Sequence, residues 1–133
     1  MDKRTRILIG KVGLDGHDVG ARVVAMALAD AGMEVIYTGV RQTPAQIAHA
    51  AIQEGVDLIG ISILSGSHMT LFPAIMKALK ENDADDIPLV AGGIIPTEDI
   101  QTLKEMGVKE VFLPETSTSD IIDFIRNLLE SDA

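Results

Sequence analysis

With 133 residues, 47% of them hydrophobic, the chain has the length of one domain and enough apolar side chains to build a core without staples. The absence of cysteine excludes a disulfide framework, a cysteine nucleophile, an iron–sulfur cluster and a cysteine-ligated zinc site. A formal charge of −9 and 3% aromatic residues argue against a nucleic-acid surface, and no apolar run nears the ~20 residues of a bilayer span.

Strand-like and helix-like segments alternate along the chain. Arg6–Gly10 is a short apolar strand ending in glycine, and Val19–Ala31 carries small and apolar residues at helical spacing, closed by Gly32. Glu34–Thr38 reads as the second strand. Thr43 and Pro44 supply the cap and first residue of a helix that runs to Glu54 and stops at Gly55. Val56–Ser62 is apolar at nearly every position, as a strand covered on both faces should be. A helix over Thr70–Asn82 leads to the acidic loop Asp83–Asp86 and a fourth strand, Pro88–Gly92. Thr97–Met106 is the next helix, with Thr97 as cap and Glu98 and Asp99 as first-turn acids. Glu110–Leu113 is strand five, and Ser119–Glu130 a final helix with Ile121, Ile122, Ile125, Leu128 and Leu129 on one face.

Strict alternation predicts a single α/β domain over residues 1–133, a doubly wound five-stranded parallel sheet of flavodoxin-like (Rossmann-like) type. Right-handed crossovers give strand order 2-1-3-4-5. No segment has the apolar core of a signal peptide, so the expected location is cytoplasmic, with no membrane or nucleic-acid partner. Ligands of such sheets sit beyond the carboxyl ends of the strands where the order reverses. That singles out the loops Lys11–Asp18, Ser62–Met69 and Gly92–Pro96. The acidic loop Asp83–Asp86 precedes a strand, lies at the opposite edge and reads as solvated surface.

In the first loop, Gly10, Gly13 and Gly16 have the wrong spacing for a dinucleotide fingerprint, and no Gly-Lys-Ser/Thr marks a P-loop. The loop does hold Lys11, Asp15 and His17, with Gly20 at the helix start. A carboxylate two residues from a histidine can orient one ring nitrogen, leaving the other free as base or metal ligand. A merely solvated charged loop is the alternative. After strand three, Gly60-Ile61-Ser62-Ile63-Leu64 lacks the final glycine of a nucleophile elbow, so a serine hydrolase is excluded. Ser62 either donates into the crevice or is satisfied by backbone. His68 either meets a ligand or partner or caps the next helix, and His49 reads as helix surface. Gly92-Gly93 admits close approach to the backbone or makes a tight turn. A phosphoacceptor receiver domain shares this strand order but needs an aspartate ending strand three and a lysine after strand five. Ser62 and Pro114 stand there.

Taken together, Asp15-x-His17-x-x-Gly20, Ser62-x-Leu64 and Gly92-Gly93 resemble the signature of cobalamin-binding domains that hold the cofactor with its own base displaced. The stretches Lys11–Gly20, Ser62–Pro73 and Gly92–Pro96 are most similar to the cobalamin domain of methylmalonyl-CoA mutase and related acyl-CoA mutases, including isobutyryl- and 2-hydroxyisobutyryl-CoA mutase. The resemblance implies that His17 is the lower axial ligand of cobalt, that Asp15 accepts its other N–H, and that Lys11 holds Asp15. The implied catalytic set is Lys11, Asp15 and His17, and the implied metal ligand is His17. Gly13, Asp15, Gly16, His17, Asp18 and Gly20 would contact cofactor from the first loop, Ser62, Leu64, Ser65 and Gly66 from the second, and Gly92 and Gly93 from the third. The displaced dimethylbenzimidazole tail is expected in the crevice between strands one and three.

The implied cofactor is adenosylcobalamin, whose cobalt–carbon bond breaks homolytically to start a carbon-skeleton isomerisation. The chain has no room for a substrate barrel. The expectation is therefore a small subunit, inactive alone, in a hetero-oligomer with a large catalytic mutase subunit carrying the acyl-CoA site. Two alternatives are a corrinoid methyl-carrier protein of a methyltransferase and the small subunit of a glutamate-mutase-type enzyme. A non-catalytic cobalamin sensor is a further one.

Overall fold

A computed structural model describes residues 5–11, 19–38, 43–63, 68–93, 95–113 and 115–131. The elements are β1 (Arg6–Lys11), α1 (Val19–Asp30), β2 (Glu34–Tyr37), α2 (Pro44–Glu54), β3 (Leu58–Ile63), α3 (His68–Glu81), β4 (Leu89–Gly93), α4 (Thr97–Met106), β5 (Glu110–Phe112) and α5 (Thr118–Ser131). The five strands form one parallel sheet in the order β2-β1-β3-β4-β5, as the alternation predicts.

Alternate strand residues feed two cores. Leu8, Ile59, Ile61, Leu89 and Ala91 point to one side, where α2, α3 and α4 close over them with Ile47, Phe72, Ile75, Leu79 and Leu103. Ile7, Ile9, Leu58 and Val90 point to the other, meeting Leu28 of α1 and Ile121 and Ile125 of α5. β3 is central, and Leu58 and Ile59 are fully buried on opposite faces. Among the described residues no helix is long and apolar enough to cross a membrane.

The local signals act largely as read. Thr43 accepts from the Gln46 backbone N–H, and the Gln46 side chain accepts from the Thr43 N–H, a reciprocal cap beside Pro44. Gly55 then ends α2 in the left-handed conformation, with φ at 63°. Two details differ. Thr97 does not cap α4: it is already helical, Pro96 holds the cap position, and no side chain bonds the free N–H groups. α3 starts at His68, two residues before Thr70, and carries Pro73 in its second turn.

The edge away from the candidate loops is tied by Arg6. Its Nε donates to Glu34 Oε2 at 2.8 Å, and its Nη1 donates to the Glu54 carbonyl oxygen at the end of α2. The Arg6 backbone N–H donates to Asp57 Oδ2 at 2.9 Å. One side chain thus joins the starts of β1 and β2 to the C-terminus of α2, where a cation is favoured. Arg6→Ala should lower unfolding free energy by about 1–2 kcal/mol, read as a shifted urea midpoint. Ligand binding at the opposite edge should not change.

Candidate functional site

Parallel pairing sets the motif residues level with one another. Lys11, Ser62, Gly92 and Phe112 form one row across β1, β3, β4 and β5, and Ile9, Gly60, Val90 and Glu110 form the row two residues below. Side chains alternate along a strand, so Gly60 and Ser62 share the face of Leu58, toward α1 and α5. On that face β3 tapers from leucine to glycine to serine as it nears its carboxyl end.

The taper opens a cleft of about 310 Å³ between the two helices, at the lower end of the ~300–1,000 Å³ usual for small-molecule sites. Its floor includes Ile9, Gly60, Ser62, Val90, Gly92 and Gly93. Val24 and Leu28, one turn apart, form the α1 wall together with Val23. Thr118, Ile121 and Ile125 form the α5 wall, and Phe112, Leu113 and Thr116 close the end at β5. The lining side chains are apolar apart from the hydroxyls of Ser62, Thr116 and Thr118.

The glycines keep this space empty for different reasons. A Cβ on Gly60 would lie 3.0 Å from Ile9 Cδ1 and 3.6 Å from Val90 Cγ2, so Gly60 lets the floor close-pack without rising into the cleft. A Cβ on Gly92 would meet only the Phe112 carbonyl oxygen, at 3.8 Å. Gly93 has φ at 136°, a conformation that strains any residue with a side chain. Gly92 therefore leaves an open approach, and Gly93, the last residue of β4, holds a backbone conformation that favours glycine.

Of the residues singled out in the sequence, Ser62, Gly92 and Gly93 come together in the cleft. Lys11 ends β1 level with Ser62, and Gly20 lies in the first turn of α1. Gly13, Asp15, Gly16, His17, Asp18, Leu64, Ser65 and Gly66 lie outside the described residues. The cleft spreads from Ile9 of β1 over β3 and β4 to Phe112 of β5, between α1 and α5, wider than a crevice between β1 and β3. Sequence reading missed Gly60, Val23, Val24, Thr116, Thr118 and Ile121. The alternation Leu58-x-Gly60-x-Ser62 was a readable signal; the helix walls depend on tertiary placement.

An apolar slot floored by glycines and edged by a few hydroxyls suits a flat, largely apolar group with a hydrogen-bond acceptor. A benzimidazole carried on a ribose is such a group. Among the described residues no cluster of His, Asp and Glu could hold a metal ion, and the expected cobalt ligand, His17, lies outside them.

Comparison with known proteins identifies the family. The model of the B12 binding domain matches residues 5–122. The chain is 52% identical over 124 residues to the 2-hydroxyisobutanoyl-CoA mutase small subunit of Aquincola tertiaricarbonis, covering 93% of this chain and 91% of that one. It is 45% identical over 117 residues to ethylmalonyl-CoA mutase of Methylorubrum extorquens and 42% over 127 to methylmalonyl-CoA mutase of Escherichia coli. Those matches cover 88% and 96% of this chain but only 17% and 18% of those longer proteins. A cobalamin-binding protein from Desulfitobacterium hafniense has the same fold, with a TM-score of 0.80 at 20% identity over 94% of this chain and 59% of that one. A response regulator from Desulfuromonas acetoxidans scores 0.72 at 18% identity, over 95% and 97% of the two chains, so the fold alone does not separate these classes. The family model and the mutase relatives do: the chain belongs to the B12-binding domain family, and its cofactor is a cobalamin.

Proposed function

We propose that this chain is the cobalamin-carrying small subunit of an adenosylcobalamin-dependent acyl-CoA mutase, completed by a separate large chain that holds the acyl-CoA. The observation that carries this is its 52% identity to a mutase small subunit along 91% of that subunit's length. The same region forms less than a fifth of the long mutases it matches.

The cleft supports the reading. Gly60 and Gly92 leave a floor on which the displaced benzimidazole tail would lie, between Val24 of α1 and Ile121 of α5. The Ser62 hydroxyl, which lines the cleft, would donate to its ring nitrogen. Lys11, which precedes Asp15 and His17 in the sequence, ends β1 level with Ser62. His17 would reach cobalt from below, its other ring N–H held by Asp15 and that carboxylate by Lys11, which sharpens both orientation and basicity. When bound, adenosylcobalamin supplies a carbon radical by homolysis of its cobalt–carbon bond. The role of this chain is to hold the cofactor, fix its lower face and help keep water out.

The test is reconstitution. The chain, a large mutase subunit and adenosylcobalamin together should isomerise one of the methylmalonyl-, ethylmalonyl-, isobutyryl- or 2-hydroxyisobutyryl-CoA esters, and omission of any component should abolish turnover. Methyl transfer from methylcobalamin to an acceptor, without a large mutase chain, would assign the protein to the corrinoid carriers instead.

A further inference from the structure

One side chain joins the two walls of the cleft at their inner end. Arg126 of α5 donates from Nη2 to the carbonyl oxygen of Ala31 at 2.8 Å, across 95 positions of sequence. Ala31 directly follows α1, which has no basic residue in its last turn and ends on Asp30. A helix C-terminus favours a cation and has carbonyls to satisfy. Here α5 supplies the cation that α1 lacks.

The position of this tie is what gives it consequence. Ala31 lies just beyond Leu28, the innermost α1 residue of the cleft, and Arg126 follows Ile125, the last α5 residue to line it. α5 is fixed to the sheet by Ile121 and Ile125 and by Phe124, which meets Phe112 edge-to-face at 5.6 Å. Among the described side chains of α1 only Leu28 is fully buried, while Val23 and Met26 are 50% and 67% exposed.

We propose that Arg126 is a positioning residue that sets the width of the cleft by pinning the base of α1 to α5. The proposal rests on the reading of the cleft as the slot for the cobalamin tail. Val23 stands eight residues from Ala31 along α1, about 12 Å at a rise of 1.5 Å per residue. Once the tie at Ala31 is lost the base of α1 is free to shift, and a tilt of about 5° changes the relative position of the two ends of this span by about 1 Å. A gap of that size forfeits roughly a quarter to a half of the dispersion contact with a flat ligand.

The experiment compares cobalamin with cobinamide, which has the same corrin and cobalt but lacks the nucleotide tail, on the full chain carrying Arg126→Ala, Arg126→Met or Arg126→Lys. Arg126→Ala should raise the cobalamin Kd roughly tenfold and leave the cobinamide Kd unchanged. Arg126→Met keeps the aliphatic stem and should behave as the alanine does; Arg126→Lys keeps a cation and should recover most of the affinity. Arg126 is exposed, and circular dichroism of each variant verifies the fold. Equal weakening of both ligands, no weakening of either, or full recovery with methionine would overturn the proposal while leaving the cleft reading intact. A wild-type protein that binds cobalamin no better than cobinamide would overturn both.

Discussion

Gly92→Val should lower cobalamin affinity about 100-fold while leaving the protein at least as stable as before. The valine would put three methyl-sized groups on the floor of a cleft of about 310 Å³, in the row shared by Ser62 and Phe112. Overfilling a close-packed space costs about 1–3 kcal/mol, which converts to roughly 5- to 150-fold in Kd. The fold itself has no objection. The nearest atom to the new Cβ is a carbonyl oxygen at 3.8 Å, and Gly92 is not among the positive-φ glycines. A β-branched residue in a strand also gains over glycine, by up to ~1 kcal/mol. Neighbouring glycines are poorer probes. Gly93→Val would place a branched side chain at a φ of 136°, adding backbone strain of about 1–3 kcal/mol. Gly60→Val would collide with Ile9 Cδ1. Both would confuse lost binding with lost structure. Titration of cobalamin into Gly92→Val, with a thermal melt of the same sample, separates the two, and unchanged affinity would mean that the tail does not use this cleft.

The sheet was legible because each element carries its own stop. Gly32, Gly55 and Gly107 all take positive φ after α1, α2 and α4, and the crossover rule then orders the strands with no further information. The same rule places α1 on one face and α2, α3 and α4 on the other, since each of them joins two strands. It is silent about α5. No strand follows α5, so only its apolar stripe of Ile121, Ile125 and their neighbours directs it, and that stripe would fit either face. The cleft exists because α5 joins α1. For that reason Ser62 and Gly92 could be found as motif residues, whereas Thr116, Thr118 and Ile121 could not. Gly60 is a different case. Within an apolar strand a glycine reads as tolerated weakness, and its meaning appears only when the residues on its own face, Leu58 before it and Ser62 after it, are read together. Thr97 was misplaced by one position because threonine before a pair of acids suits both a cap and a first turn; Pro96, with its fixed φ, occupies the cap instead.

Electron paramagnetic resonance of cob(II)alamin bound to protein labelled with nitrogen-15 histidine should show a doublet superhyperfine splitting instead of the nitrogen-14 triplet. The splitting comes from the nitrogen below cobalt. If that nitrogen belonged to the cofactor's own benzimidazole, labelling the protein would change nothing. A doublet therefore reports histidine ligation and displacement of the base in one measurement, and a displaced tail is what the proposed function requires in the cleft between α1 and α5. His49 lies on α2 and His68 begins α3, so the variant His17→Ala assigns the signal: the doublet should vanish, with the fold retained, because a loop residue seldom holds a core together. Asp15→Asn should keep the doublet but weaken binding roughly 10- to 100-fold, by loosening the ring that His17 presents. A triplet from labelled wild type with the large subunit present, or a doublet that survives in His17→Ala, would remove His17 from beneath the cobalt. Loss of the doublet in His17→Ala together with loss of affinity in Gly92→Val would place the two ends of the cofactor, cobalt at the loop after β1 and the tail over β3 and β4. Either result alone would fix only one end.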